Sequence, residues 1–275
     1  SNVNDQIYNQ IEKYWDQNPL FVGEKSFSKD NAVEFFSAHE MAYRDDVFAG
    51  LEISNFIDYP LDGDRVLDIG CGIGFWLSEF EKKCKNVALT GVDISEKSME
   101  IAKLRVSSAN FYKENAVSLS FEDASFDFCN CQGVIHHFPD TKSALQEINR
   151  ILRQGGAFTV SVYYQNILLR LVKNFPALIN GIAMLALTNR GRGRNFGDAK
   201  NLEDLVRMYD GADNVFGKAF SRREIESLIA ESGLSVRRTT FHYFPARFLK
   251  IKLPKLLKRI LCRHLPFMIV INGFK

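Results

Sequence analysis

The stretch Asp68-Ile69-Gly70-Cys71-Gly72-Ile73-Gly74 constrains the fold more than any other part of this 275-residue chain. It follows the apolar run Arg65–Ile69 and precedes Phe75-Trp76-Leu77, so it reads as strand, tight turn, helix. Alternate glycines let backbone approach a ligand closely, and the free N–H groups of the next helix can hold a negatively polarised group. A dinucleotide fingerprint needs its third glycine at position 75, where this chain has Phe75. No Gly-Lys-Ser/Thr follows either, which excludes a Walker loop. What fits is GxGxG with a carboxylate at the strand's end. Asp68 would repel a pyrophosphate but suits a ligand carrying its own ammonium group.

A second carboxylate sits in the matching position of the next strand. Asp93, in Gly91-Val92-Asp93-Ile94-Ser95, lies 19 residues beyond Gly74. In doubly wound folds a strand-end acid at that spacing meets a ribose diol. The plainer alternative is that Asp93 caps a turn. The two acids and the glycines together predict a site for a nucleoside bearing an amino group.

Around these motifs the chain alternates. Residues 3–17 and 28–58 read as helical. Strands at 65–69, 87–92, 110–113, 126–131 and 157–163 then alternate with helices at 75–83, 95–107 and 140–153, the last stopped by Gly155-Gly156. Such alternation predicts a parallel sheet in an open α/β fold. Ser221-Arg222-Arg223-Glu224 is a capping box for a helix to about Ser232, and 236–244 and 267–274 read as closing strands. Between about Tyr164 and Phe220 the pattern breaks for longer than an ordinary connection. The expected organisation is an N-terminal helical lid (1–60), a ligand-binding core (61–163), an inserted cap (164–220) and a C-terminal completion of the core with a basic helix (221–275).

The segment from about Arg65 to Val162 resembles class I S-adenosylmethionine-dependent methyltransferases, in their type 11/25-like, small-molecule branch. The matching stretches are Val66–Gly74, Thr90–Ser95, Phe121–Phe128, Gly133-Val134-Ile135-His136-His137 and Ile148–Gly156. The resemblance implies a Rossmann-like seven-stranded sheet, strand order 3-2-1-4-5-7-6, its last strand pair antiparallel. It also implies S-adenosyl-L-methionine as cofactor. Gly70, Cys71, Gly72 and Gly74 would then line the methionine part, with Asp68 near its amino group. Asp93 would bind the ribose hydroxyls, and Ile94 would pack on the adenine. Asn115 and Ala116 stand where relatives have the Asp and Ala of Gly-Asp-Ala; the amide oxygen of Asn115 could accept from the adenine amine in place of the acid. Gln132 would face the sulfonium side through its backbone. Cys71 reads as a small residue in a tight loop, without redox chemistry.

His137 and His136 are the titratable pair near the strand end where such folds do chemistry. An imidazole can take a proton from a hydroxyl or amine, so both are candidate catalytic groups, His137 before His136. Relatives often carry the pair without using it as a base. Tyr14 and Tyr43 are candidate lid aromatics, since such rings can lie against a sulfonium; an amphipathic helix covering the core is the plainer reading. Methyl transfer asks mainly for alignment and exclusion of water, and no metal-ligand spacing is visible.

Charge is unevenly placed. The last 44 residues hold ten Lys and Arg and no acid, so with a formal net charge of +2 the first 231 residues carry −8. In Pro254–Leu265 the spacing puts Lys255, Lys258, Arg259 and Arg263 on one face and Leu256, Leu257, Ile260, Leu261 and Leu265 on the other. That predicts a basic amphipathic helix, docked on the sheet or, through 247–265, on an anionic membrane surface. Ile167–Leu187 is too polar for a comfortable span. Five scattered cysteines predict a reducing, cytoplasmic setting, peripheral to a membrane if the basic segment docks there. The opening Ser1-Asn2, with no charged-then-apolar run after it, does not read as a secretory leader.

The expected function is methyl transfer to oxygen or nitrogen of a small or lipid-like acceptor. The apolar insertion would enclose it, with Arg190, Arg192 or Arg194 reaching an anionic group; the plainer reading of that loop, with its alternating glycines, is a flexible segment. Two other readings share the motifs: an RNA methyltransferase and an inactive cofactor-binding scaffold. The chain shows no recognised RNA-binding module, so nucleic acid is not favoured. The acceptor, the pathway and the oligomeric state leave no mark on the sequence.

Overall fold

The computed structural model describes residues 3–19, 25–175, 177, 181, 187–188, 198–211 and 213–275. Its strands are β1 (Arg65–Ile69), β2 (Ala88–Asp93), β3 (Asn110–Lys113), β4 (Phe126–Gln132), β5 (Leu152–Tyr164), β6 (Ala219–Phe220), β7 (Ser235–His242) and β8 (Met268–Phe274). They form one sheet in the order β3-β2-β1-β4-β5-β8-β7, and β8 runs antiparallel to both of its neighbours. This is the expected order, with β7 and β8 as the last two strands. The two-residue β6 is additional; it pairs in parallel with Tyr163 and Tyr164 at the end of β5.

Side chains alternate across a strand, so one short run feeds two core layers. Leu67 and Ile69 point into a layer with Ile11, Leu145, Ile148, Ile225 and Ile229, contributed by α1 (Val3–Gln17), α5 (Thr141–Ile151) and the helix Arg222–Glu231. Val66 points into the other, with Phe48, Trp76, Leu77, Phe80 and Met99 from α2 (Ala32–Phe48), α3 (Phe75–Lys83) and α4 (Glu96–Arg105). With α6 (Ile167–Asn174) and α7 (Leu202–Met208) placed in the insertion, Arg222–Glu231 is α8 and Lys255–His264 is α9. None of the described helices is long and apolar enough to cross a membrane.

Local chemistry sets the helix starts. Ser95 Oγ accepts the Ser98 N–H at 3.1 Å, Asp140 Oδ1 accepts from Ser143 N–H at 2.9 Å, and Ser221 Oγ accepts from Glu224 N–H at 3.2 Å. Each bond satisfies an amide that the first turn leaves without a helical partner.

Several boundaries differ from expectation. The helix expected over 28–58 covers only Ala32–Phe48; Ala49 closes it in the left-handed region at φ +53°, and a 3-10 turn follows at Ile53–Asn55. Gly155 and Gly156 do not merely stop α5. They lie inside β5, with Gly155 at φ +74° and its N–H donating to the Lys275 carbonyl at 3.0 Å. Helix α9 is turned differently from the simple two-face reading: Lys258 is buried, while Leu256, Leu257 and Ile260 are exposed. The cause is tertiary, because Asp45 and Asp46 on α2 lie opposite Lys258. Arg190, Arg192, Arg194 and much of 167–187 lie outside the described residues.

Candidate active site

The carboxyl ends of β1, β2, β4 and β5 meet along one edge of the sheet, and the glycine loop starts there. Gly70 takes φ +69°, and a Cβ on it would overlap the Val134 side chain, so this close approach admits only glycine. Gly74, at φ +81°, begins α3 against Ala102.

Asp93 stitches the two loops together. Its Oδ2 accepts the Gly72 N–H at 2.8 Å and its Oδ1 accepts the Ser95 N–H at 2.8 Å. Burial pushes its pKa up, and the amides of Ser95 and Gly72 pull it back. It therefore caps a turn and also lines the pocket. Each carboxylate oxygen can accept a further bond, so the two roles are compatible.

Asp68 is 1% exposed. One oxygen accepts from Asn130 Nδ2 at 2.7 Å, and Oδ2 is buried with no partner. Burial pushes the carboxyl up to about 8. An orphaned acid of this kind fits an incoming ammonium, which would supply both charge and donor.

A single pocket gathers Gly70, Gly72, Asp93, Ile94, Ala116, Gln132, His136 and His137. Asp68, Cys71, Gly74 and Asn115 are not part of its lining. Asn115 instead uses its amide oxygen locally, accepting the Val117 N–H at 3.2 Å, while Glu114 lines the pocket. Gln132 donates its side-chain amide to Asn130 Oδ1 at 3.0 Å and Thr159 Oγ1 at 3.1 Å. Cys71 is buried and its thiol is pushed well up by burial, which agrees with a packing role. Of the two tyrosines expected at the lid, Tyr43 lines the pocket. Tyr14 does not; its neighbour Trp15 does, and Tyr14 donates its hydroxyl to the Asp210 carbonyl at 2.8 Å.

Beyond the glycine loop the pocket wall is aromatic, with Trp15, Tyr43, Phe48, Trp76, Tyr163, Tyr209 and Tyr243. His137 sits within it, 5% exposed, its ring edge-on to Trp15 at 4.9 Å. Its Nδ1 is 3.0 Å from the Phe216 carbonyl. A carbonyl can only accept, so Nδ1 carries a proton, and in the neutral tautomer with that proton the lone pair is on Nε2. Nε2 is 3.4 Å from Asp210 Oδ2, which also accepts the Tyr163 hydroxyl at 2.6 Å.

His136 packs on Tyr163 with ring centroids 4.0 Å apart, and both of its nitrogens are buried without a partner. Burial, with His137 beside it, holds it well below the usual imidazole range, so it is neutral. His136, His137 and Asp210 each place one donor atom within 4.8 Å of the others, a geometry in reach of a metal ion that the sequence reading did not foresee. Asp210, Tyr163 and Trp15 are the residues that reading missed. The only sequence signal was the Tyr209-Asp210-Gly211 turn inside the insertion.

A family model described as a methyltransferase domain matches residues 67–160. A ubiquinone biosynthesis O-methyltransferase from Paracidovorax citrulli is 34% identical over 113 residues, covering 39% of this chain and 47% of that protein. The chain thus spans about half the length of that relative. A demethylmenaquinone methyltransferase from Lactococcus lactis is 27% identical over 202 residues, 66% of this chain and 75% of its own length. Among solved structures, a 1,6-didemethyltoxoflavin-N1-methyltransferase from Burkholderia thailandensis, with bound 1,6-didemethyltoxoflavin and S-adenosylhomocysteine, shares the fold. Its TM-score is 0.54 at 15% identity, over 100% of this chain and 91% of that one. With the strand order, the glycine turn and these matches in place, residues 67–160 match a methyltransferase domain, and the chain has the fold of the class I S-adenosylmethionine-dependent methyltransferases.

Proposed function

We propose that this protein transfers a methyl group from S-adenosylmethionine to oxygen or nitrogen of a small, lipid-like acceptor. One observation carries the reading: a single aromatic-walled pocket holds both the glycine loop with Asp93 and the His137–Asp210 pair. S-adenosylmethionine, when bound, supplies an already activated methyl group. Asp93 would hold the ribose hydroxyls, Ile94 and Ala116 the adenine, and Asp68 the ammonium. Gly70 and Gly72 would present backbone to the methionine part.

The remaining chemistry is removal of one proton and exclusion of water. His137 Nε2 is the lone pair that would take the proton from the acceptor. The imidazolium so formed faces the Asp210 carboxylate, which attracts it electrostatically. Tyr163 and the Phe216 carbonyl hold the two members of this pair in place. The aromatic wall suits an acceptor with a flat apolar body. The quinone-related names of the Paracidovorax and Lactococcus relatives support the same class.

Trp15 from the N-terminal helices and Tyr209 and Asp210 from the insertion line the pocket. They support reading 1–60 as a lid and 164–220 as a cap over the acceptor, with 61–163 and 221–275 as the core and its completion. The five free thiols support a reducing, cytoplasmic setting. Calorimetry with S-adenosylmethionine and S-adenosylhomocysteine, followed by a turnover screen over hydroquinones and phenols with apolar tails, tests the proposal. Absence of binding to either cofactor form would sink it; binding without turnover on any acceptor class would return the scaffold reading.

A further inference from the structure

Between β7 and β8 the chain makes a long return along the surface, and α9 is its main element. One face of α9 is firmly seated. Lys258 Nζ donates to the Asp45 carbonyl at 2.6 Å and lies 3.4 Å and 3.3 Å from the carboxylates of Asp45 and Asp46. Cys262 is buried in a cluster with Ala49 and Phe244. Seating that face turns the opposite one outward. There Leu256 is 72% exposed, Ile260 46% and Leu257 42%, and Ile251 just before the helix is 68% exposed.

Cations frame these aliphatic side chains. Lys252, Lys255, Arg259 and Arg263 are exposed. Among the described residues none of the four has a carboxylate within ion-pair distance; Arg259 reaches only the Ala49 carbonyl, at 3.2 Å. No acid follows Glu231 in the sequence. The patch is therefore apolar at its centre and uncompensated positive at its rim.

We propose that this face of α9 docks on an anionic lipid bilayer, the helix lying in the interface plane. Leu256, Leu257 and Ile260 would enter the acyl boundary while Lys252, Lys255, Arg259 and Arg263 meet the lipid phosphates. Apolar side chains held in water by a seated helix gain free energy only if a second apolar phase covers them. The charge decides which phase, because each cation near an anionic leaflet adds attraction. A nucleic acid would satisfy the cations but leave the aliphatic ridge in water, and α9 carries no Phe, Tyr or Trp as a stacking platform, only His264 at its end. The return that carries α9 also supplies Tyr243 and Arg247 to the pocket. The inference does not depend on the identity of the methyl acceptor.

Flotation of the full chain with extruded vesicles tests it, without cofactor or acceptor. The lipids are phosphatidylcholine alone, or the same with about one-third phosphatidylglycerol, an anionic surface of the kind that attracts basic segments. Flotation with the anionic vesicles at low salt is expected, with much weaker binding at high salt and to neutral vesicles. Lys255→Gln and Arg263→Gln should each cost about fivefold in partitioning, which is ~1 kcal/mol per cation converted to an equilibrium constant. Leu256→Ser with Ile260→Ser should abolish flotation while leaving thermal unfolding unchanged, because both side chains are already exposed. No flotation at low salt, equal binding to neutral vesicles, or undiminished binding of the serine variant would each overturn the proposal. Calorimetry of S-adenosylmethionine binding on the same preparation keeps failure of the docking surface distinct from failure of the enzyme reading.

Discussion

His137 Nε2 stands 3.4 Å from Asp210 Oδ2, although one residue comes from the turn after β4 and the other from the insertion. The Phe216 carbonyl fixes which nitrogen of His137 carries the proton. His137→Ala is expected to lower turnover about 10²–10⁴-fold with cofactor affinity intact. Asp210→Asn should lower kcat less, by about tenfold or more, because it removes the stabilising charge and leaves the base in place. Steady-state kinetics beside cofactor titrations check both. A loss below tenfold in His137→Ala would mean that positioning alone carries the reaction.

Asp93 holds two backbone amides and faces the pocket. Asp93→Ala should weaken S-adenosylmethionine by about 1.5–3 kcal/mol, typical of hydrogen bonds to a charged group. Wild-type affinity of this variant in calorimetry would remove Asp93 from the ribose site.

Burial holds Asp68 at about 8 against an ordinary 3.8. A carboxyl whose folded value is raised contributes stability that is fully present below about pH 4 and is lost as pH rises through 8. Asp68→Asn keeps the shape and removes the titration. The variant should melt a few degrees above wild type at about pH 8.5 and closer to it at about pH 6, while binding the cofactor at least tenfold more weakly, an effect on the order of 1.4 kcal/mol or more. Scanning calorimetry at the two pH values decides; identical pH dependence in both proteins would contradict the buried-acid account.

His242 has the opposite sign. Burial pushes it down to about 4, and its Nδ1 lies 3.2 Å from the Val47 carbonyl. Its ring stacks on Phe48 at 4.7 Å. A base depressed by folding contributes stability that is present above about pH 6.5 and is lost as pH falls through 4. Urea unfolding between these values should show a falling ΔG, by up to about 3 kcal/mol from this group. His242→Phe, which keeps the stacking surface, should flatten that limb. An unchanged slope would assign the acid sensitivity to other buried groups such as His136.

Much of the core was legible because its signals are local. The glycine turn, the Ser95 and Ser221 caps and the two strand-end acids are each set by neighbours a few residues away. The pocket's far wall was not. Asp210 acquires its role only when the insertion folds back to His137; the Tyr209-Asp210-Gly211 turn signals a loop there and not that meeting. Trp15 and Tyr14 show the same limit, because helical spacing places aromatics on a face without saying which ring meets the site. Helix α9 is the clearest case. Its wheel separates charge from hydrocarbon, yet Asp45 and Asp46 draw Lys258 inward and leave Leu256 in solvent.

Strand β8 lies between β5 and β7, pairing with both. During synthesis β5 leaves the ribosome long before β8, with the insertion, α8, β7 and α9 made in between. Throughout that interval β5 has a long open edge, of the kind that recruits wrong strands and chaperones. Completion of the sheet therefore waits for β8, which closes its interior by entering between β5 and β7 rather than adding to an edge.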